Sequence, residues 1–457
     1  MRLHNSYTNQ IEQFETIEPN KVKMYVCGPT VYDNAHLGHA RCYITWDVLY
    51  RYLKFKGYDV TYCRNVTDVD DKILKKAETE GKTPEEVSTY WYKKFTDSMN
   101  ALNNLRPDIE PFATKTLGEM IAINKDLIKN GYAYEANGDV YFRVKKFNRY
   151  GYLSKQPIDQ LESGARIEVG DQKEDPLDFA LWKKDPKFGY NSPWGVGRPG
   201  WHIECSAMSR KHLGKTIDIH AGGADLIFPH HENEIAQSEC ANGCKFVNYW
   251  LHNGFVTINK EKMSKSLGNF LTIDDMLKIY DANTIRFFIL TNHYRMPVEF
   301  SDEALQAASN GVKRMLNAKR TKINEALDLT QFEEYKEFVN AMDDDLNTSK
   351  ALAVLFDLTN KANKDVDYAY TLLNYLATTL GFTFEKATLS EEELSEKLIQ
   401  ISEALGEKYS SMEEIIAKRK EARDAKNWDI ADKIRIALDN CGIVLKDSKE
   451  GTTWDLK

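Results

Sequence analysis

The chain is poor in cysteine, in charge of one sign and in long apolar runs, and each lack removes a class of protein. Seven cysteines (Cys27, Cys42, Cys63, Cys205, Cys240, Cys244 and Cys441) are scattered through 457 residues, which reads as reduced thiols or metal ligands rather than a disulfide framework. No stretch approaches the roughly 18 apolar residues of a membrane-spanning helix. Residues 1–14 lack the apolar centre of a secretory signal, so the expected compartment is the cytoplasm, with no membrane partner. Lys and Arg number 61 against 69 Asp and Glu, a net charge of −8. No basic field marks a nonspecific nucleic-acid binder, although a local docking surface for RNA stays open. Internal repeats and low-complexity tracts are also missing. What is present is a 42% share of hydrophobic residues, enough to fill the cores of about two to four domains.

Hydrophobic periodicity divides the chain. Residues 22–26 form a β-rich run ending at Cys27-Gly28-Pro29. From about His36 toward Phe55, Ile44, Val48, Leu49 and Tyr52 recur at helical spacing, and Gly57 stops the helix. Residues 59–66 read as a second strand, which makes a β-α-β unit and opens a parallel sheet. Residues 131–134 and 138–142 read as strands and turns inside an insertion, and residues 192–200, rich in Pro and Gly, as a linker. The sheet pattern resumes at residues 217–220, passes through a helix starting near His230, and continues at 246–251. Beyond about Ser301 helical stripes take over, with Leu352, Leu355 and Phe356, then Leu372, Leu373 and Leu376. A glutamate-rich passage over 390–407 leads to a small α+β module over 411–457.

Two short strings carry the chemistry. Lys262-Met263-Ser264-Lys265-Ser266 puts two lysines and two serines in one loop beside Leu267-Gly268-Asn269, and Lys262 and Lys265 there can neutralise charge building on a departing pyrophosphate. Far upstream, His36-Leu37-Gly38-His39 places two histidines in the first turn of a helix that follows a strand. Free backbone N–H groups and the positive dipole end make such a turn a phosphate site. Each string alone has a plain reading, a solvated basic loop or a capped helix with two surface histidines. Together they point to nucleotide activation.

At this point the chain resembles the class I aminoacyl-tRNA synthetases, whose HIGH and KMSKS signatures the two strings match. More closely it resembles their cysteinyl family, through residues 24–33 (Met-Tyr-Val-Cys-Gly-Pro-Thr-Val-Tyr-Asp), residues 65–72 (Asn-Val-Thr-Asp-Val-Asp-Asp-Lys), residues 200–208 (Gly-Trp-His-Ile-Glu-Cys-Ser-Ala-Met) and residues 228–234 (Phe-Pro-His-His-Glu-Asn-Glu). The resemblance covers essentially the whole chain, including Asn427-Trp428 and the terminal residues 451–454. It implies an α/β fold: a Rossmann-like parallel core with an inserted domain, then an all-α bundle and a small α+β C-terminal domain. The expected division is 1–115 for the first half of the catalytic domain, 116–199 for the inserted connective domain and 200–251 for the second half. Residues 252–300 follow as the KMSKS-loop and stem-contact region, 301–401 as the helical bundle and 402–457 as the anticodon-binding domain. Implied partners are ATP, L-cysteine and tRNA(Cys), the chain acting as a monomer, with Mg²⁺ accompanying the ATP.

The residues alone go part of the way to a metal. His230 and Glu234 are four apart, so on one helix they face the same way and can chelate one ion. Cys27 sits at a strand end, where α/β sites gather, yet a small buried hydrophobe is the usual fate of a free cysteine. The resemblance, not the spacing, joins Cys27, Cys205, His230 and Glu234 into the ligands of one Zn²⁺ per subunit. Cys240 and Cys244 offer no metal clip, because no second pair has zinc-ribbon spacing, and His231-Glu232 is no metalloprotease signature, since Ile235 stands where the second histidine belongs. Zinc suits the substrate: sulfur differs too little from oxygen for shape to separate cysteine from serine, whereas a thiol ionises on zinc and a hydroxyl stays neutral.

The resemblance further implies Thr67, Trp201 and Asp225 around the cysteine substrate, each with a structural alternative in core packing or turn formation. In the terminal module it implies anticodon contacts from Arg423, Trp428, Asp432 and Asp447. Without it, residues 411–440 are simply a charged helical stretch. Two other functions compete: a ligase passing the same adenylate to an amino sugar, and a noncatalytic tRNA-binding paralogue.

Overall fold

The computed structural model describes residues 1–156, 172–258, 261–262, 271–384, 391–448 and 451–456. They form two compact units, Met1–Thr383 and Phe384–Lys457. The centre of the first is a parallel sheet of β1 (Lys21–Val26), β2 (Asp59–Arg64), β3 (Ile217–Gly223) and β4 (Val247–Asn253) in the order β4-β3-β1-β2. All three pairings are parallel. Val22, Met24, Tyr25 and Val26 are buried along β1, as is β3 through Gly222, the pattern of strands covered on both faces. Helix α1 (Leu37–Phe55) crosses from β1 to β2, as its apolar spacing predicts. Because β2 lies on one side of β1 and β3 on the other, the chain reverses direction of travel across the sheet between β1 and β3. A crevice opens there at the carboxyl ends of the strands, and the residues leaving them, Cys27 after β1 and Asp225 after β3, face it.

The insertion carries a five-stranded antiparallel sheet, in the order Ala133–Ala136, Asp139–Phe142, Phe179–Lys184, Gly195–Pro199, Tyr190–Ser192. Residues 192–200 are therefore not a linker, as their Pro and Gly content predicts, but the turn and inner strand of a hairpin. Their glycines serve close packing: a Cβ on Gly200 would stand 2.1 Å from the Ala180 carbonyl oxygen, and one on Gly197 would stand 2.4 Å from that of Lys183. Phe142 and Trp182 of this sheet share one apolar core with Cys27, Ile203 and Trp250 of the parallel layer. Two helices complete the sheet's covering, α2 (Ile203–His212) and α3 (Glu232–Asn242). The helix expected from His230 begins regularly only at Glu232, after a wide turn over Ile227–His231.

A buried ion pair ties the sheet layer to the helical region. Asp47 of α1 accepts from Arg286 and, at 2.8 Å each, from Arg51 Nε and the Leu105 amide. Arg286, fully buried, also donates to the Leu102 carbonyl and Asn104 Oδ1 at 2.8 Å and to the Leu380 carbonyl at 3.2 Å. No helix among the described residues is long and apolar enough to cross a membrane.

The second unit packs the helices Glu391–Leu405, Met412–Asp424 and Trp428–Asn440 with a hairpin of Ile443–Ser448 and Gly451–Leu456. Its own core joins Ile401, Met412, Ile415, Ile434, Leu438 and Ile443. The helix Glu391–Leu405 runs across the expected division at 401/402.

Arg286→Ala leaves the Asp47 carboxylate in the interior with only Arg51 as a cation. It is expected to destabilise the fold by about 3 kcal/mol, read as a fall in the thermal unfolding midpoint.

Candidate active site and metal centre

Four side chains from four places in the chain meet beneath the crevice. Cys27 comes from the end of β1, Cys205 from α2, and His230 and Glu234 from the wide turn and first residues of α3; all four are buried, with ligand atoms within 4.8 Å of one another. Cys27 Sγ lies 3.7 Å from Cys205 Sγ and 3.6 Å from Glu234 Oε1, Cys205 Sγ lies 3.6 Å from His230 Nε2, and His230 Nε2 lies 3.0 Å from Glu234 Oε1. Bond lengths of about 2.3 Å to sulfur and 2.0–2.1 Å to nitrogen or oxygen give tetrahedral edges of about 3.8, 3.6 and 3.3 Å. The cluster therefore fits one small tetrahedral cation with little movement, and its donors, two sulfurs, one imidazole and one carboxylate, suit such an ion.

Electrostatics prepares these groups. Burial alone would lift the Glu234 carboxyl, but His220 and His230 outweigh it and hold it down to about 2. Burial likewise opposes the His230 imidazolium, yet Glu234 and Cys205 raise it to about 10. The Cys205 thiol, disfavoured as thiolate by burial, is brought to about 6 by its hydrogen bond with Cys27 and by His230. Burial and the neighbouring Cys205 hold the Cys27 thiol well above the usual range. Metal uptake must displace the protons on Cys27 and His230, so it weakens as pH falls.

A layer of histidines surrounds the four. His220 Nε2 is 2.8 Å from Glu234 Oε2, and His202 Nδ1 is 2.9 Å from His230 Nδ1. His231 Nε2 approaches Cys27 Sγ at 3.2 Å, its Nδ1 lies 2.8 Å from His252 Nε2, and His252 Nδ1 lies 2.8 Å from Ser6 Oγ. Such outer partners orient ligands and settle which ring nitrogen carries the proton. Sequence reasoning missed His202, His220, His231 and His252. The one available signal was His220, a polar residue in the middle of an Ile- and Ala-bearing buried strand.

Above the cluster lies a cavity of about 320 Å³, lined among others by Cys27, His36, His39, Lys72, Trp201 and Asp225. Gly28 also lines it, and an added Cβ there would stand 1.5 Å from the Asn65 carbonyl oxygen. His36 caps α1: its Nδ1 accepts from the His39 amide at 3.3 Å, and His39 Nδ1 accepts from the His36 amide at 3.2 Å. With both Nδ1 atoms accepting, the neutral rings carry their protons on Nε2. The imidazoles stack 3.7 Å apart, at the helix end where anions bind. Trp201 is 42% exposed and its ring lies 4.4 Å from that of His230, so it forms a wall over one of the four clustered donors. Thr67 is buried outside this lining, and its hydroxyl donates to Glu204 Oε2 at 2.6 Å. Burial holds the Glu204 carboxyl well above the usual range.

The chain matches the family described as "tRNA synthetases class I (C) catalytic domain" over residues 13–310 and the "DALR domain" family over residues 337–385. Among curated proteins it is 49% identical to the "Cysteine--tRNA ligase" of Francisella philomiragia, over 99% of each chain, and 49% identical to that of Francisella tularensis subsp. tularensis, over 99% of this chain and 98% of that one. The chain belongs to the cysteine–tRNA ligase family. Similarity of shape extends to Mycobacterium tuberculosis methionyl-tRNA synthetase in complex with methionyl-adenylate. The TM-score there is 0.56 at 16% identity, over 79% of this chain and 89% of that one, and it speaks for the class I fold.

Met263, Ser264, Lys265 and Ser266 lie outside the described residues. Lys262 closes a short strand paired with Thr257, next to Val256 on the cavity wall. Downstream, Leu271 accepts from the Leu37 amide at 3.0 Å, and Thr272 bridges to His36, so both flanks of the lysine loop are anchored at the cavity. In the second unit Arg423 and Asp447 meet at 2.6 Å; Arg419 joins Asp447 at 3.0 and 3.2 Å. Arg419 first, then the Thr452 hydroxyl and Arg423, hold the Asp447 carboxyl far below its ordinary value. Trp428 is 58% exposed, four positions before Asp432, which pairs with Arg435 at 3.3 Å.

Cys205→Ser and Glu234→Gln are each expected to drop bound metal from about one equivalent per chain to a small fraction, measured by elemental analysis of purified protein. Gly28→Ala, with no room for its methyl, is expected to lower both metal content and the unfolding midpoint.

Proposed function

We propose that the chain uses ATP to activate L-cysteine as cysteinyl adenylate and then transfers the cysteinyl group to tRNA(Cys). One observation carries this reading: Cys27 belongs at once to the four-donor metal cluster and to the lining of the cavity that bears His36 and His39. A thiol-selective donor set and a nucleotide-binding helix end thus share one wall. The cysteine carboxylate attacks the α-phosphate of ATP. His36 and His39, presenting Nε2–H groups, together with Lys262 and Lys265, stabilise the charge that accumulates as pyrophosphate departs. Positioning does most of the work, since the protein forms no covalent bond to either reactant.

Zn²⁺ is the ion this donor set suits, and it would supply selection of thiol over hydroxyl, because a soft thiolate binds it and a neutral hydroxyl ligates weakly. Cys27, Cys205, His230 and Glu234 would hold it. Trp201 walls the cysteine side and Asp225 meets the substrate ammonium, whereas Thr67, expected as a polar contact to the cysteine, is committed to Glu204 outside the cavity lining. Mg²⁺ accompanies the ATP. Arg423, Trp428, Asp432 and Asp447 read the anticodon by stacking and base-edge hydrogen bonds. The chain works as a cytoplasmic monomer. The amino-sugar ligase reading is not favoured, since similarity to tRNA ligases spans 99% of the chain and so includes the terminal module.

Cysteine-dependent ATP/pyrophosphate exchange tests the proposal, with serine as the control. Exchange with cysteine at least about 10³-fold above serine is expected, and equal rates would refute thiol selection. Lys265→Ala should lower exchange by about 10²–10³-fold without loss of bound metal.

A further inference from the structure

Three consecutive aspartates, Asp343, Asp344 and Asp345, end the helix Glu333–Asp343 and lead toward the helix Thr348–Ala362. Neighbouring like charges repel, and here each is drawn to a different partner. Asp343 accepts from Tyr52 Oη at 2.8 Å and from Lys56 at 3.0 Å, at the far end of α1. Asp344 pairs with Arg2 at 2.7 Å. Asp345 turns inward and is buried, on a backbone with φ of 56°, followed by Leu346 at 54°. Two successive non-glycine residues in the left-handed region persist only where surrounding structure over-determines them.

What holds Asp345 is the turn after the helix Ala282–Leu290. Its Oδ1 accepts from Tyr294 Oη at 2.7 Å and from the His4 amide at 2.8 Å; its Oδ2 accepts from Arg295 Nε at 2.8 Å, with His293 Nε2 at 3.5 Å. The same turn offers its carbonyls to Arg41, two residues after His39 on α1. Arg41 donates to Ile289, His293, Tyr294 and Met296 at 2.7 to 3.0 Å. On its other side the turn meets the cavity wall: the Gly254 amide donates to the Tyr294 carbonyl at 2.8 Å, and Val256 pairs with Val298. Val256 opens the strand whose partner strand ends at Lys262.

We infer that Asp345 is a positioning residue for the nucleotide half of the site, resting on the functional reading above. By fixing Tyr294 and Arg295 it sets the turn that separates the histidine end of α1 from the strand Val256–Ile258 at the cavity wall, and so sets the spacing of the two sides of the nucleotide site. Displacements of about 1 Å in such geometry cost up to about 10²-fold in rate.

Two variants test this. Asp345→Asn tolerates the left-handed backbone and keeps an acceptor oxygen while losing the charge that holds Arg295; Tyr294→Phe removes one hydroxyl. Both are assayed by cysteine-dependent ATP/pyrophosphate exchange well below their unfolding midpoints, with metal content measured alongside. The expected result is a fall in kcat of about tenfold for Asp345→Asn and a smaller fall for Tyr294→Phe, with KM for cysteine and bound metal unchanged. If kcat and KM for ATP stay at their original values while only the unfolding midpoint drops, the turn is merely structural and the inference is overturned. Should Asp345→Asn fail to fold, an unchanged kcat in Tyr294→Phe overturns it alone. Absence of exchange in the unaltered chain would instead overturn the functional reading.

Discussion

A carboxylate with no contact with water, Glu234, is the constraint around which the catalytic region is arranged. A buried anion is tolerated only when opposite charge and hydrogen bonds replace its lost hydration. Satisfying it brings β3, through His220, and the turn before α3, through His230, to within hydrogen-bond distance. Cys27 and Cys205 then close the shell from β1 and α2. Four elements that are remote along the chain are thereby fixed relative to one another beneath the crevice, and the donor geometry of a tetrahedral cation follows from that fixation.

Helix α1 transmits this order to the nucleotide side. Its cap and first turn carry the stacked histidines, its second turn Arg41, its middle Asp47, its last turn Tyr52, and the residue just after it is Lys56. Apart from the histidines, each of these reaches the helical region: Arg41 the turn near residue 294, Asp47 Arg286, and Tyr52 and Lys56 Asp343. Buried polar contacts of this kind add less to net stability than to the definition of a single arrangement.

Much of the core was legible in the sequence because β-α-β periodicity is a local property. The strand over β1, the helix to Phe55 and the second strand follow from spacing alone. Residues 192–200 misled because Gly and Pro mark turns and tight packing alike, and only the neighbouring Ala180 and Lys183 carbonyls tell which applies. The pair Cys27 and Cys205, 178 positions apart, has no sequence signal of its own; it was reached through family resemblance. His230 and Glu234 announced themselves by helical spacing, whereas His231, adjacent to one of them, does different work by backing Cys27. His202 and His252 act through a second layer, where no spacing rule operates.

At Gly28, which lines the cavity beside the thiol cluster, the backbone lies against the Asn65 carbonyl with no room for even one methyl group. Side-chain replacement is the means by which pockets drift toward new substrates, and here that means is blocked on one face. Trp201 and Asp225 can change, but no side chain can be added at Gly28 unless the Asn65 backbone moves, so the cavity can be reshaped from its other walls and not from this one.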